Sequence, residues 1–394
     1  MTVGVLALLA GLGGIPHTAL AAGGADGASV RIGGVDITPA IQVNEAHDDN
    51  VFAQEKTRKS SWITTIEPGV LVSAESGTST YELRYQLSKG LFHSSRNDDF
   101  LDHFVSAKAD FDMSSRLKSG LWVNYSKTHD RRGTTFTGAP LTFNTPDRYH
   151  RSVAGGKVSY GKNARIDLNA EYTNKRYDNH HTLTQTRDLD TIGGSAAFSY
   201  PVGPKTSAVV EARYKHYNYK FFSATTNLDS NEQRYFAGLD WEATAKTTGH
   251  ARVGYLKKNF SDARLIGTSQ FAWELGVLWE PMSYSSWELA TDYKPLETDG
   301  TGTFSKSIGG RLTWKHEWNS KLSHSAYGGY RQNRFQGLVV QRKDKVTTAG
   351  ASVDYQLMRW LGIGGAYDYT NRSSNAVNSS FRDNVWSVNI ITTL

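Results

Sequence analysis

The sequence predicts an all-β chain: a transmembrane antiparallel up-and-down β-barrel of about 18 strands. Three observations lead there. Apolar and polar residues alternate with period two along most of the chain, the mark of a strand whose faces meet different solvents. Short and long polar connections follow one another in regular succession. No segment of the mature chain has the roughly 18 consecutive apolar residues that a membrane helix needs.

Composition agrees. Hydrophobic residues make up 38% of the 394 residues, while aromatics reach 12% and glycine numbers 37. Many Tyr, Trp and Gly with few Leu and Ile suit strands and turns. No linker or compositional break divides residues 35–394, so they form one unit. A closed wall can be this long without splitting into separate cores. With no cysteine, neither a disulfide nor a Cys-ligated metal site is possible. The net charge of +6 is spread along the chain, which argues against a nucleic-acid partner and favours an anionic solute in a confined lumen.

The first element is an export address. Val3 to Ile15 is a Leu/Ala/Val/Gly run, and Ala19-Leu20-Ala21 supplies the small-x-small pattern of a cleavage site, although no Lys or Arg precedes Arg31. Residues 1–21 are therefore expected to be a signal peptide, cleaved after Ala21 or Ala22, and residues 22–34 a short periplasmic segment. Amino-terminal sequencing of the mature protein should begin at Ala22 or Gly23; an intact Met1 in a soluble fraction would contradict this.

The strands follow. Ile166, Leu168, Ala170 and Tyr172 share one face, and Arg165, Asp167, Glu171 and Lys175 the other. Phe271, Trp273, Leu275, Val277 and Trp279 alternate with Glu274, Gly276 and Glu280, and Ile308, Gly310, Leu312 and Trp314 with Arg311, Thr313, Lys315 and Glu317. Short connections are predicted at, for example, Met113 to Ser115, Gly161 to Ala164 and Leu357 to Arg359. Long ones are predicted at Glu45 to Ser61, His129 to Asp147, Leu296 to Thr303, Gln332 to Arg342 and Asn371 to Ser380. Short turns at one rim and long loops at the other are the habit of outer-membrane barrels, and both termini then lie at the periplasmic rim. Aromatics near strand ends, at Tyr177, Tyr217, Tyr219, Trp287, Tyr293, Trp318, Tyr330, Tyr355 and Trp360, suit an interfacial girdle. The final strand alternates through Trp386, Val388, Ile390 and Thr392 to Leu394, where such strands usually end in Phe.

If the apolar face meets lipid, the polar face lines a pore. The residues assigned to the pore lining are Glu67, Glu82, Arg84, Lys108, Asp110, Arg116, Lys118, Arg165, Asp167, Glu171, Glu211, Arg213, Lys215, Arg311 and Lys315. Acids and bases on neighbouring strands can pair across the ladder, a structural use that leaves a minority of charges to meet solute. Trp122, Tyr177 and Tyr217 on that face could stack on sugar rings, or simply fill space or belong to the girdle. The loop from His129 to Asp147, with Pro140 and Pro146, is long enough to fold inward as a constriction or to remain at the surface.

Catalytic chemistry finds no support. No Gly-x-Ser-x-Gly elbow, His-Glu-x-x-His helix or phosphate-binding loop occurs, so no enzyme activity and no cofactor is expected. An outer-membrane lipid hydrolase is the rival from another class, but no nucleophile, base and orienting residue can be named together. His180-His181 lacks further ligands, and Asp48-Asp49-Asn50 lacks calcium-loop spacing.

Three segments carry a resemblance: Asp36-Ile37-Thr38-Pro39-Ala40-Ile41, then Asp48-Asp49-Asn50-Val51-Phe52, then Ile66-Glu67-Pro68-Gly69, with Phe381 to Leu394 closing the chain and Asn384 ahead of its alternating run. They resemble the putative β-barrel porin type 2 family, whose members open with a strand, an Asp-rich turn and a second strand carrying Pro. The resemblance implies an outer-membrane exit conduit for a secreted polysaccharide, working with a periplasmic polysaccharide export protein that lacks its own outer-membrane span. A diffusion porin for small hydrophilic or anionic solutes is the alternative. Outer-membrane lipid is the surrounding partner in either case.

Overall fold

Period-two segments become strands because their outer residues have lipid to meet and their inner residues have polar partners. The computed structural model describes residues 29–134, 141–221, 227–244 and 246–393, so the predicted signal peptide lies outside the described residues. The strands are β1 (Val30–Ile32), β2 (Val35–Asp48), β3 (Ser61–Ser76), β4 (Ser79–Phe92), β5 (Phe100–Asp112), β6 (Leu117–Asp130), β7 (Asp147–Gly161), β8 (Arg165–Tyr177), β9 (Leu189–Gly203) and β10 (Thr206–Tyr219). They continue as β11 (Ser230–Thr244), β12 (Thr247–Phe260), β13 (Thr268–Met282), β14 (Ser285–Leu296), β15 (Ser305–Glu317), β16 (Leu322–Phe335), β17 (Lys343–Met358), β18 (Leu361–Ser374) and β19 (Phe381–Thr393).

Every strand from β2 onward pairs antiparallel with the next, and β19 returns to β2 from Val385↔Asp48 to Thr393↔Ala40. The ring therefore closes with eighteen strands, as the sequence predicts. Closure removes the free edge whose unpaired N–H and C=O groups hydrocarbon cannot satisfy. The extra strand β1 folds back on β2 through Gly33 and Gly34, both at positive φ, the backbone that a tight two-residue hairpin requires. Part of the expected 22–34 segment is thus a hairpin arm at the short-turn rim.

The ladder fixes the facing. Leu83, Leu121, Ile166, Leu168, Phe271, Leu312 and Trp386 are exposed on the outer surface, where lipid is their solvent. The opposite face is the interior, because side chains of non-adjacent strands meet there: Arg213 of β10 reaches Glu274 of β13 at 2.9 Å. Strand ends run up to four residues past several predicted boundaries, as β2 does to Asp48 and β18 to Ser374. Polar residues occupy both faces above the hydrocarbon, so alternation fades before the hydrogen-bonded ladder does.

Two expectations need correction. Arg116 lies in the turn between β5 and β6, where its carbonyl accepts from Gly161 N–H at 2.9 Å, and so stands at the rim rather than in the wall. Tyr177, Tyr217 and Tyr219 are buried in the interior and do not belong to the girdle. Tyr217 shares the parity of Arg213 and Lys215, which decides its face. Tyr330, Tyr355 and Trp360, by contrast, are exposed.

The Asp-Asp-Asn-Val-Phe turn finds its reason at the closing seam. Asn384 of β19 donates its N–H to Asp49 Oδ1 at 2.8 Å and its amide to Asp49 Oδ2 at 2.6 Å. The fully buried Asn50 donates to the carbonyls of Gln54 and Arg382 at 2.9 and 2.8 Å. Arg131, just past β6, reaches across to Asp383 at 2.7 Å, Asp48 at 3.0 Å and the Val51 carbonyl at 2.9 Å. First strand, last strand and an incoming loop are thereby pinned together.

Candidate functional site

The candidate site is the lumen, and cross-strand register assembles it. One row runs Glu82↔Lys108↔Trp122↔Gly155↔Glu171↔Gly193↔Lys215↔Glu232↔Lys258 through β4 to β12. The row nearer the short turns carries Asp110, Lys157 and Arg213, and the next Lys118, Asp167 and Glu211. Arg84 pairs with Ser106, Arg165 with Ser199, Arg311 with Ala290 and Gly329, and Lys315 with Ser325. Glu67, on β3, is buried and accepts from the Ser88 hydroxyl at 2.7 Å. Apart from Arg116, the assigned residues share the face that holds the Arg213–Glu274 pair.

Among the described residues, seven of these fifteen charges are answered by ion pairs within the wall. Lys108 and Lys157 flank Asp110 at 2.5 and 2.9 Å, Lys118 meets Asp112 at 2.6 Å, and Arg165 meets Asp167 at 2.7 Å. Arg213 bridges Glu211 at 2.6 Å and Glu274 at 2.9 Å. Several are opposite charges two residues apart, which a strand places side by side on one face. The same pattern at Glu232 and Arg234, 2.5 Å apart, escaped the sequence assignment although its signal was identical. The exposed pairs, Lys118–Asp112 and Arg165–Asp167, add little stability, and the effect of the pairing is a polar wall in which part of the charge is already balanced.

The long-loop half of the lumen is filled from above. Glu297 opens the loop between β14 and β15 and accepts from Tyr219 Oη at 2.6 Å and Lys258 Nζ at 2.5 Å. Thr303 N–H donates to the Gln336 carbonyl and Gln336 N–H to that of Phe304, both at 2.9 Å, stitching this loop to the one before β17. Asp299, in this loop, feels the charges of Arg187 and Arg342, whose loops rise from nearly opposite sides of the ring. Burial holds the Asp299 carboxyl above the usual carboxylate range, against the pull of those two arginines. Residues 297–304 are thus the inward-folded segment.

The loop from His129 to Asp147, long enough either to constrict or to remain at the surface, stays at the mouth over its described residues. Arg132 stacks over the Phe52 ring at 4.3 Å and binds Asp98 at 2.5 Å, and Leu141 packs on Val51, Phe52 and Ile63. This part caps the mouth beside the seam. Pro140 lies outside the described residues.

The three aromatics proposed for stacking separate. Lys175 and Arg187 cover the Tyr177 ring at 4.5 and 4.1 Å, and its hydroxyl donates to Asp130 at 2.8 Å. Lys258 covers Tyr217 at 3.9 Å. Trp122 instead borders an open cavity of about 370 Å³ with Glu82, Arg84, Ser106, Lys108 and Asn124.

Among the described residues, Asp48, Asp49 and Asp383 bring carboxylates close enough to share a metal ion. The Arg131 guanidinium already answers Asp48 and Asp383, so the cluster works as an ion-paired latch. His180 is bound to Asp147 at 2.7 Å and stacked on Phe143 at 3.8 Å, which ties it to loop packing.

Asp299→Asn would leave Arg187 and Arg342 without that carboxylate. Chloride permeability relative to potassium, from reversal potentials in planar bilayers, should rise about twofold. A raised carboxyl loses its charge at a higher pH than an ordinary one, so the native protein should drift the same way as pH falls. The variant should lose that part of the drift.

The family model described as Putative beta-barrel porin 2 matches residues 23–393. No curated protein matches the sequence. Among solved structures, the chain is similar to Pseudomonas aeruginosa OccK2 (OpdF), at 10% identity and a TM-score of 0.50 over 91% of this chain and 98% of that one. It is also similar to Acinetobacter baumannii OccAB3, at 11% identity and 0.47 over 91% and 99%. The FrpB iron transporter from Neisseria meningitidis (F5-1 variant) aligns at 10% identity and 0.48 over 91% and 82%.

Proposed function

Since the chain belongs to the Putative beta-barrel porin 2 family and is an outer-membrane β-barrel, we propose that it is the exit conduit for a secreted polysaccharide. The observation that carries this is the internally paired wall. A polymer must slide without being held, which calls for many weak polar contacts, and the Lys108–Asp110–Lys157, Arg165–Asp167 and Glu211–Arg213–Glu274 groups offer polarity with their charges already answered. An eighteen-strand ring falls in the size range whose interior can hold an aqueous channel. The segment 297–304 folds inward on a few hydrogen bonds, so it can yield to a polymer. The partner at the short-turn rim would be a periplasmic export protein without its own outer-membrane span.

One observation favours a second function, a diffusion porin for small hydrophilic or anionic solutes: the buried Asp299 feels the charges of both Arg187 and Arg342, whose loops rise from nearly opposite sides of the ring. Deletion of the gene separates the two. Export predicts that cell-free polysaccharide falls severalfold and polymer accumulates in the periplasm, with restoration by the native gene. Unchanged secreted polymer with slower uptake of small hydrophilic solutes would reject export in favour of the porin.

A further inference from the structure

We propose that Trp122 and Arg84 form a sliding subsite for an acidic sugar chain, one pyranose ring stacking on the indole while the carboxylate of a neighbouring unit meets the guanidinium. The proposal rests on the export function above and names the class of polymer.

The first support is how the indole is held. Gly155 is the cross-strand partner of Trp122, and a Cβ built there would lie 2.2 Å from Cζ2 and 2.4 Å from Cε2 of the indole. Real side-chain carbons do not approach so closely, so only glycine leaves room for the indole over β7. The indole held there borders the 370 Å³ cavity, whose volume is within the roughly 300–1,000 Å³ of small-molecule sites. Tyr177 and Tyr217, also interior, have their faces taken by cations.

The second support is charge. Lys108, beside Trp122, is answered by Asp110. Arg84 lines the same cavity and makes no hydrogen bond or ion pair with any described residue. A planar guanidinium matches a carboxylate through two parallel hydrogen bonds. Arg84 is on β4 and Trp122 on β6, two strands across and two residues along in register, a backbone separation of about 12 Å. That span exceeds one pyranose ring and suits adjacent units of a chain. Asn124 and Glu82 line the remaining wall, where they can exchange hydrogen bonds with hydroxyls.

The test is saturation-transfer NMR on the purified full chain, in a detergent without sugar headgroups, with hexagalacturonate and maltohexaose as probes. The native protein should saturate ring protons of both and bind the uronate more tightly. Trp122→Ala should weaken both by about tenfold, the worth of an aromatic stack. Gly155→Val, which keeps the indole but lifts it off the wall, should do the same. Arg84→Gln should weaken only the uronate, by about fivefold, and erase the preference. Native-like binding by Trp122→Ala and Arg84→Gln would overturn the site, and equal native affinity for the two probes would overturn its assignment to an acidic sugar. Since binding is read on purified protein, it can fail while export stands, or stand while export fails.

Discussion

Arg131→Ala is expected to destabilise the barrel by about 3 to 5 kcal/mol, the cost of leaving buried carboxylates without their cation. Asp48 and Asp383 are each about 4% exposed and converge on one guanidinium, which also donates to the Asn50 and Val51 carbonyls. The loss falls on the seam where first and last strands meet, the contact with the longest sequence separation in the ring. Urea unfolding followed by tryptophan fluorescence should show it as a lower midpoint. Arg131→Lys keeps the charge but not the forked donors, and should recover part of the loss. An unchanged midpoint for Arg131→Ala would mean that the latch is ornamental.

The second large effect concerns facing. Leu275→Arg and Leu312→Arg put a cation into hydrocarbon near the middle of β13 and β15, at a cost of about 2 to 4 kcal/mol each. Lys118→Gln changes an exposed interior side chain paired with Asp112, and should stay within about 0.5 kcal/mol. Arg311→Gln should lose about 0.5 to 1 kcal/mol more, since its guanidinium lies 3.7 Å over the Tyr327 ring. Folding into vesicles against urea measures all four. Equal losses on the two faces would overturn the register.

The wall was legible because lipid and lumen impose opposite chemistry on alternate residues. Phe271 to Trp279 and Ile308 to Trp314 read directly, and with them the strand count and the lumen face. Parity put Tyr217 on the inner face while its position near a strand end suggested the girdle, and parity was the better guide. Asp299 and Arg187 carried no such signal: a polar loop has the same composition whether it stands in water or folds into the lumen. Arg131 was hidden for a related reason, as its partners lie in β2 and β19, far along the chain. Trp122 showed only as one of three candidates, and it took Gly155 on the neighbouring strand to distinguish it.

The most direct measurement of the central claim, a water-filled passage narrowed by residues 297–304, is single-channel conductance of the purified chain in planar bilayers. The native protein should conduct in uniform steps, and replacing residues 298–303 with two glycines should enlarge the step at least about twofold, since a wider aqueous path carries more current. No conductance from either correctly folded protein would contradict the passage, and an identical step from both would contradict the narrowing.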